Sequence, residues 1–162
     1  PPGKTADIVW MTFDGSFTTK VGQQTVEFYE SAVVEKRLIL GHVTADSEGR
    51  LKATVIAPED YGEAHEIYLE MDGKQVAKGD FRIMRDVAVT PLAGPVGTET
   101  TVRVTGLGWK PSNSTLAVLY DNKYTGFLSS TTTLGSAQGK FRAAGPPGRH
   151  VIEIDPAASP GR

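Results

Sequence analysis

Apolar and polar residues alternate with a period of two along most of this chain, the pattern of strands with one buried face. Leu51-Lys52-Ala53-Thr54-Val55 and Thr101-Val102-Arg103-Val104-Thr105 alternate cleanly. His65-Glu66-Ile67-Tyr68-Leu69-Glu70-Met71 does the same and then meets Asp72-Gly73, a dipeptide suited to a type I′ hairpin, so the next strand is predicted from Val76 to Ile83. Turn chemistry separates the runs at Asp46-Ser47-Glu48-Gly49, Ala57-Pro58-Glu59-Asp60-Tyr61-Gly62, Asp121-Asn122-Lys123 and Gly145-Pro146-Pro147-Gly148. Short strands with a turn signal every 8 to 12 residues or so predict an all-β chain of antiparallel sandwiches. One stretch, Glu27 to Arg37, fits a short helix as well as a strand.

The pattern is also repeated. Gly41, His65 and Ile67 recur as Gly126, His150 and Ile152, with the glycine 24 positions before the histidine in both copies. Self-similarity at that spacing predicts two units of about 75 to 85 residues, 1–85 and 86–155, followed by a tail, 156–162. Only Arg85-Asp86 separates the last strand of the first unit from the first strand of the second, a junction too short to leave much freedom of orientation. Pro2 to Trp10 aligns with Pro111 to Tyr120. Trp10 then precedes Gly41 by 31 positions where Tyr120 precedes Gly126 by 6, so the first unit carries an insertion, 14–38.

Val89-Thr90-Pro91-Leu92-Ala93-Gly94-Pro95-Val96-Gly97-Thr98, followed by Val102-Arg103-Val104-Thr105-Gly106-Leu107-Gly108-Trp109-Lys110-Pro111, resembles the opening of immunoglobulin-like modules of the IPT/TIG type, common in bacterial secreted and cell-surface proteins. Leu116 to Asn122, Tyr124 to Phe127 and Gly148 to Ile152 continue the resemblance over residues 86 to 155. It implies two tandem immunoglobulin-like antiparallel β-sandwiches, the first lacking its usual opening strands because nothing in it corresponds to Val89–Gly108. Those strands are expected upstream of Pro1 or never present. An edge left open in this way exposes unpaired backbone groups. The insertion, through Val21, Val26, Phe28 and Val33, is expected to cover it; otherwise the edge pairs with another chain.

Composition narrows the function. The formal net charge of −2 gives no basic stripe for nucleic acid. No apolar run approaches the length of a membrane span. Cysteine is absent, which excludes disulfides, thiol catalysis and cysteine zinc sites. A chain that begins Pro1-Pro2-Gly3 reads as a processed or excised piece.

Candidate chemistry is sparse. His65 and His150 occupy equivalent places, which argues for a structural task such as a ring nitrogen satisfying a loop carbonyl rather than a general base or metal ligand. His42 is replaced by Phe127 in the second copy and is expected to pack. Glu59, Asp60, Glu63 and Glu66 could offer oxygens to Ca²⁺, but their irregular spacing reads as a solvated loop. Asp46, Glu48, Asp121 and Asn122 are turn residues. Ser129, Ser130, Thr131, Thr132 and Thr133 lack the Gly-x-Ser-x-Gly elbow of a nucleophile. Trp10, Trp109, Tyr120, Tyr124 and Phe127 are candidates for a sugar-stacking platform, set against the simpler reading that the two tryptophans pack in or against the cores.

The leading expectation is therefore a non-catalytic spacer or adhesion module, extracellular or on the cell surface, working beside neighbouring domains of a larger parent protein. A carbohydrate-binding accessory region, with cell-wall or extracellular polysaccharide as partner, is the alternative. A hydrolase ranks third. No cofactor, metal or nucleic acid is implied, and self-association through the open edge remains an expectation of the missing strands.

Overall fold

A computed structural model of the protein describes residues 2–21, 26–130 and 134–156, with side chains described outside 15–33 and 111–112. The chain is all-β and its sheets are antiparallel. Among the described residues ten strands run in order: β1 Thr5–Val21, β2 Val26–Thr44, β3 Glu63–Met71, β4 Lys74–Ile83, β5 Asp86–Thr90, β6 Glu99–Thr105, β7 Thr115–Tyr120, β8 Lys123–Ser129, β9 Ala137–Arg142 and β10 Ile152–Pro156. A single helical turn, Pro111–Ser114, precedes β7. Three sheets result, ordered β2-β1-β3-β4, β10-β7-β8 and β5-β6-β9. Glu27 to Arg37 is strand, part of β2.

The repeat in the sequence is a repeat in register. Ile8 faces Gly41 across β1–β2, and Val118 faces Gly126 across β7–β8. Immediately afterwards both ladders slip by one residue, at Ile8/Val9 and at Val118/Leu119, a bulge at the same place in each copy. On the other side of the central strand Trp10 pairs with Ile67 and Tyr120 with Ile152. Hydroxyl pairs recur at the strand ends, Thr5 with Thr44 at 3.0 Å and Thr115 with Ser129 at 3.3 Å. Thus β2-β1-β3 and β8-β7-β10 are one three-stranded unit built twice.

What covers that unit differs. In the second half β5-β6-β9 packs across it, and Val102, Val104, Leu107, Leu116, Val118, Leu128 and Ala137 form a buried core. In the first half the sheet gains β4 instead, through a hairpin whose turn residues Asp72 and Gly73 both have positive φ, 49° and 73°, as a type I′ turn requires. Its apolar face, centred on Ala6, Ile8 and Val43, is covered by the irregular stretch between β2 and β3, with Leu51 and Val55 packed on it. Two expectations are corrected here. Among the described residues of 5–83 there is one sheet rather than the two of a sandwich, and Leu51–Val55 is not a strand, because alternation makes a strand only where a neighbouring strand accepts its backbone hydrogen bonds.

The insertion 14–38 is not a separate covering layer in its backbone. It continues the β1–β2 hairpin, which pairs from Thr5–Thr44 to Val21–Val26, whereas β3 pairs with β1 only over Asp7–Trp10. The side chains of Val21, Val26, Phe28 and Val33, expected to cover the first core, lie outside the described residues, as do residues 157–162 of the tail.

The two halves meet backbone to backbone. Gly62 N–H donates to Leu107 O at 2.8 Å across the joint, and within the second half Leu107 N–H donates to Gly135 O at 2.8 Å. A Cβ on Gly62 would lie 1.9 Å from Gly106 O, and one on Gly106, at φ +66°, would lie 2.3 Å from Met84 O. Only residues without a Cβ allow the chains to approach so closely. Phe13 of the first half stacks on Trp109 of the second at 5.4 Å, and Glu59 pairs with Arg103 at 3.2 Å.

Candidate functional site

The densest polar arrangement lies in the first half, around Asp60. Alternation along β1 turns Trp10 and Thr12 to the face that carries Ile8, and β3 presents His65 beside them. The loop before β3 then carries Asp60 inward, where it is 3 % exposed. Its Oδ2 accepts the Trp10 indole N–H at 2.8 Å, and its Oδ1 accepts the Thr12 hydroxyl at 2.7 Å and the Tyr61 N–H at 2.8 Å. The His65 ring stacks on Trp10, centroids 4.4 Å apart. Its Nδ1 lies 3.0 Å from Met11 O and its Nε2 2.6 Å from Tyr61 O. Both contacts are to backbone carbonyl oxygens, and Nδ1 lies 3.9 Å from Asp60 Oδ2. Burial raises the pKa of the Tyr61 hydroxyl, and the neighbouring Asp60 charge adds to the effect.

The second half has the same histidine in a wetter setting. His150 Nε2 lies 3.1 Å from Pro146 O, four residues back, as His65 Nε2 reaches Tyr61 O four residues back. The ring stacks on Tyr120, the counterpart of Trp10, at 5.1 Å. Five residues before the histidine, however, Gly145 replaces Asp60. The carboxylate comes from the hairpin turn instead, with Asp121 Oδ2 at 2.5 Å from Nδ1 and Asp121 Oδ1 accepting the Val151 N–H at 2.9 Å. That contact raises the pKa of His150 and, with the Val151 N–H, lowers that of Asp121. Both histidines therefore reach a loop carbonyl four residues back through Nε2, the task their equivalence suggested.

The remaining candidates disperse. Of the acidic residues near Asp60, Glu59 pairs with Arg103, Glu63 accepts a hydrogen bond from Asn113 at 2.5 Å, and Glu66 pairs with Lys78. Among the described residues no group of three or more His, Asp or Glu is placed to hold a metal ion. His42 does not pack: it is exposed on β2, its Nδ1 2.7 Å from Asp7 Oδ1. Ser130 is buried and donates through its N–H to Ser114 O at 2.9 Å, while Thr131, Thr132 and Thr133 lie outside the described residues.

The five aromatic candidates do not form one platform. Trp10 is fully buried, which removes it as a stacking surface; its indole N–H demands a buried acceptor and Asp60 is that acceptor. Trp109 is half-buried against Phe13, with the Lys110 ammonium 5.4 Å from its ring. Register puts Tyr120 on the inner face of its sheet, and Tyr124 and Phe127, opposite Leu119 and Ala117, on the outer face. Tyr124 and Phe127 alone come together as exposed rings, 57 % and 64 % accessible and edge to face at 5.1 Å. Tyr120 instead borders a cleft of about 440 Å³ with Thr98, Thr100, Phe141, Arg149 and His150.

Sequence reasoning missed Asp60, which it placed in a solvated loop. The available signal was the repeat itself: an aromatic and a histidine in matching positions, with an acid five residues before one histidine and a glycine before the other. Comparison of the chain with known protein families, with curated proteins and with solved structures finds no match.

Proposed function

We propose that this protein is a non-catalytic spacer or adhesion module of a larger extracellular or cell-surface protein, built from two units of which the second is immunoglobulin-like. The observation that carries this reading is the joint. The backbone hydrogen bond from Gly62 to Leu107 and the close approaches of Gly62 to Gly106 and of Gly106 to Met84 fix the halves with contacts that side-chain motion cannot relax. Stiffness of that kind is what a spacer needs. The titratable groups that could have carried chemistry support the reading as well: His65 and His150 hold loop carbonyls, and both oxygens of Asp60 are engaged. Small-angle scattering tests it. A single interdomain geometry is expected, with Gly62→Ala broadening the distribution; a broad ensemble of angles in the unaltered protein would overturn the proposal.

A second reading, a carbohydrate-binding accessory region, is favoured by the exposed Tyr124–Phe127 pair, since flat accessible rings can stack on the apolar face of a pyranose. Pull-down on a panel of insoluble polysaccharides, lost in Tyr124→Ala and Phe127→Ala, would establish it.

A further inference from the structure

Leu51–Val55 is the counterpart of β9 without β9's partner. Gly49 and Gly135 both have positive φ, 80° and 66°, and each begins the same spacing: Leu51, Ala53 and Val55 follow the first as Ala137, Gly139 and Phe141 follow the second. The packing matches too. Leu51 and Val55 lie against Ala6 and Ile8, and Ala137 and Phe141 lie against Leu116 and Val118, which hold the corresponding places in β7. The difference is in the backbone. β9 is bonded along β6, with Thr100 opposite Phe141, Val102 opposite Gly139 and Val104 opposite Ala137. Among the described residues, Leu51–Glu59 makes no backbone-to-backbone hydrogen bond, and Ile56 beside it is 90 % exposed. A segment anchored by half-buried Leu51 and Val55, with Lys52, Ala53 and Thr54 exposed and its N–H and C=O groups unpaired by backbone, is a template for another strand.

We propose that Leu51–Val55 is an acceptor for strand addition, taken by a polypeptide segment of another molecule with the chemistry of β6. That segment is extended and antiparallel to 51–55, and it presents small or β-branched apolar residues at alternate positions. The second half argues for this occupant directly: Thr100, Val102 and Val104 are 6 %, 1 % and 0 % exposed where they lie on β9. The same alternation delivered to the first half would complete a second sheet over Ala6, Ile8 and Val43.

The probe is a synthetic peptide with the sequence of Gly97–Leu107, added to the intact protein while amide exchange is followed. Exchange at Leu51–Ile56 is expected to slow about tenfold or more at saturating peptide, with no change at β9 and none with a scrambled peptide. The double substitution Ala53→Pro/Thr54→Pro removes two N–H donors from an irregular segment. It should abolish the protection while leaving the fluorescence of buried Trp10 unchanged, which separates lost binding from lost folding. Absence of slowing at millimolar peptide, or equal slowing by the scrambled sequence, overturns the proposal. So does protection of 51–56 in the free protein accompanied by a dimer in light scattering, because the occupant would then be a second copy.

Discussion

The same three-stranded unit is stabilised in two different ways in this molecule. Around β7 the inner face meets another sheet, and the contacts are apolar, from Val102 and Val104 to Leu116 and Val118. Around β1 it meets an irregular loop, and the deepest contacts are polar: an indole, a hydroxyl, an amide and an imidazole gathered on one carboxylate. A sheet can cover an apolar face without leaving its own backbone unsatisfied. A loop cannot, so the first half anchors its loop with Asp60, whose oxygens fix Tyr61 and β1 together.

The two halves therefore respond to different substitutions. The largest effect is expected from Asp60→Ala, which strands the Trp10 N–H, the Thr12 hydroxyl and the Tyr61 N–H in a buried site, at a cost of about 4 kcal/mol. Trp10 fluorescence during urea unfolding checks it, and a change below about 1 kcal/mol would show that the polar cluster is not what holds the loop. Leu116→Ala should cost about 3 kcal/mol through lost apolar burial and a cavity, read from the amide exchange of β9 and β10. Its effect should appear first in the second half, where Asp60→Ala should leave exchange nearly unchanged.

The joint gives a graded comparison of glycines. Gly62→Ala forces a methyl group against Gly106 O and should cost about 2 to 3 kcal/mol. By contrast, a Cβ on Gly41 meets nothing within 4 Å, so Gly41→Ala should change stability by less than about 0.5 kcal/mol, although Gly41 is one of the residues by which the repeat is recognised. Thermal unfolding of the two variants side by side decides the point.

The smallest effect belongs to the exposed pair His150–Asp121. His150 titrates above its ordinary 6.5, so its contribution is fully present below 6.5 and is lost as pH rises through the raised value. Asp121 titrates below 3.8, so its contribution is present above 3.8 and is lost as pH falls through the lowered value. The pair should therefore help most between 3.8 and 6.5. NMR titration of His150 in the unaltered protein and in Asp121→Asn should show the elevation disappear, with a thermal shift that shrinks as salt is added.

Much of this was legible in the residues. Period-two alternation announced β3 and β6, Asp72-Gly73 announced the hairpin and with it β4, and the recurrence of Gly41, His65 and Ile67 announced a unit whose bulge and cross-strand pairs do recur. Those features are local or depend on spacing along one chain, and spacing survives folding. Other features were set by what each segment meets. Leu51–Val55 alternates as cleanly as Thr101–Thr105, yet only the latter is a strand, because β5 and β9 flank it and nothing among the described residues flanks the former. Asp60 reads as a turn residue until Trp10, 50 positions earlier, arrives with an N–H that must be satisfied. Side-chain type and order along the chain determine which groups need partners; only the tertiary structure decides which groups those partners are, because a hydrogen bond depends on a distance in space that the order of residues does not contain.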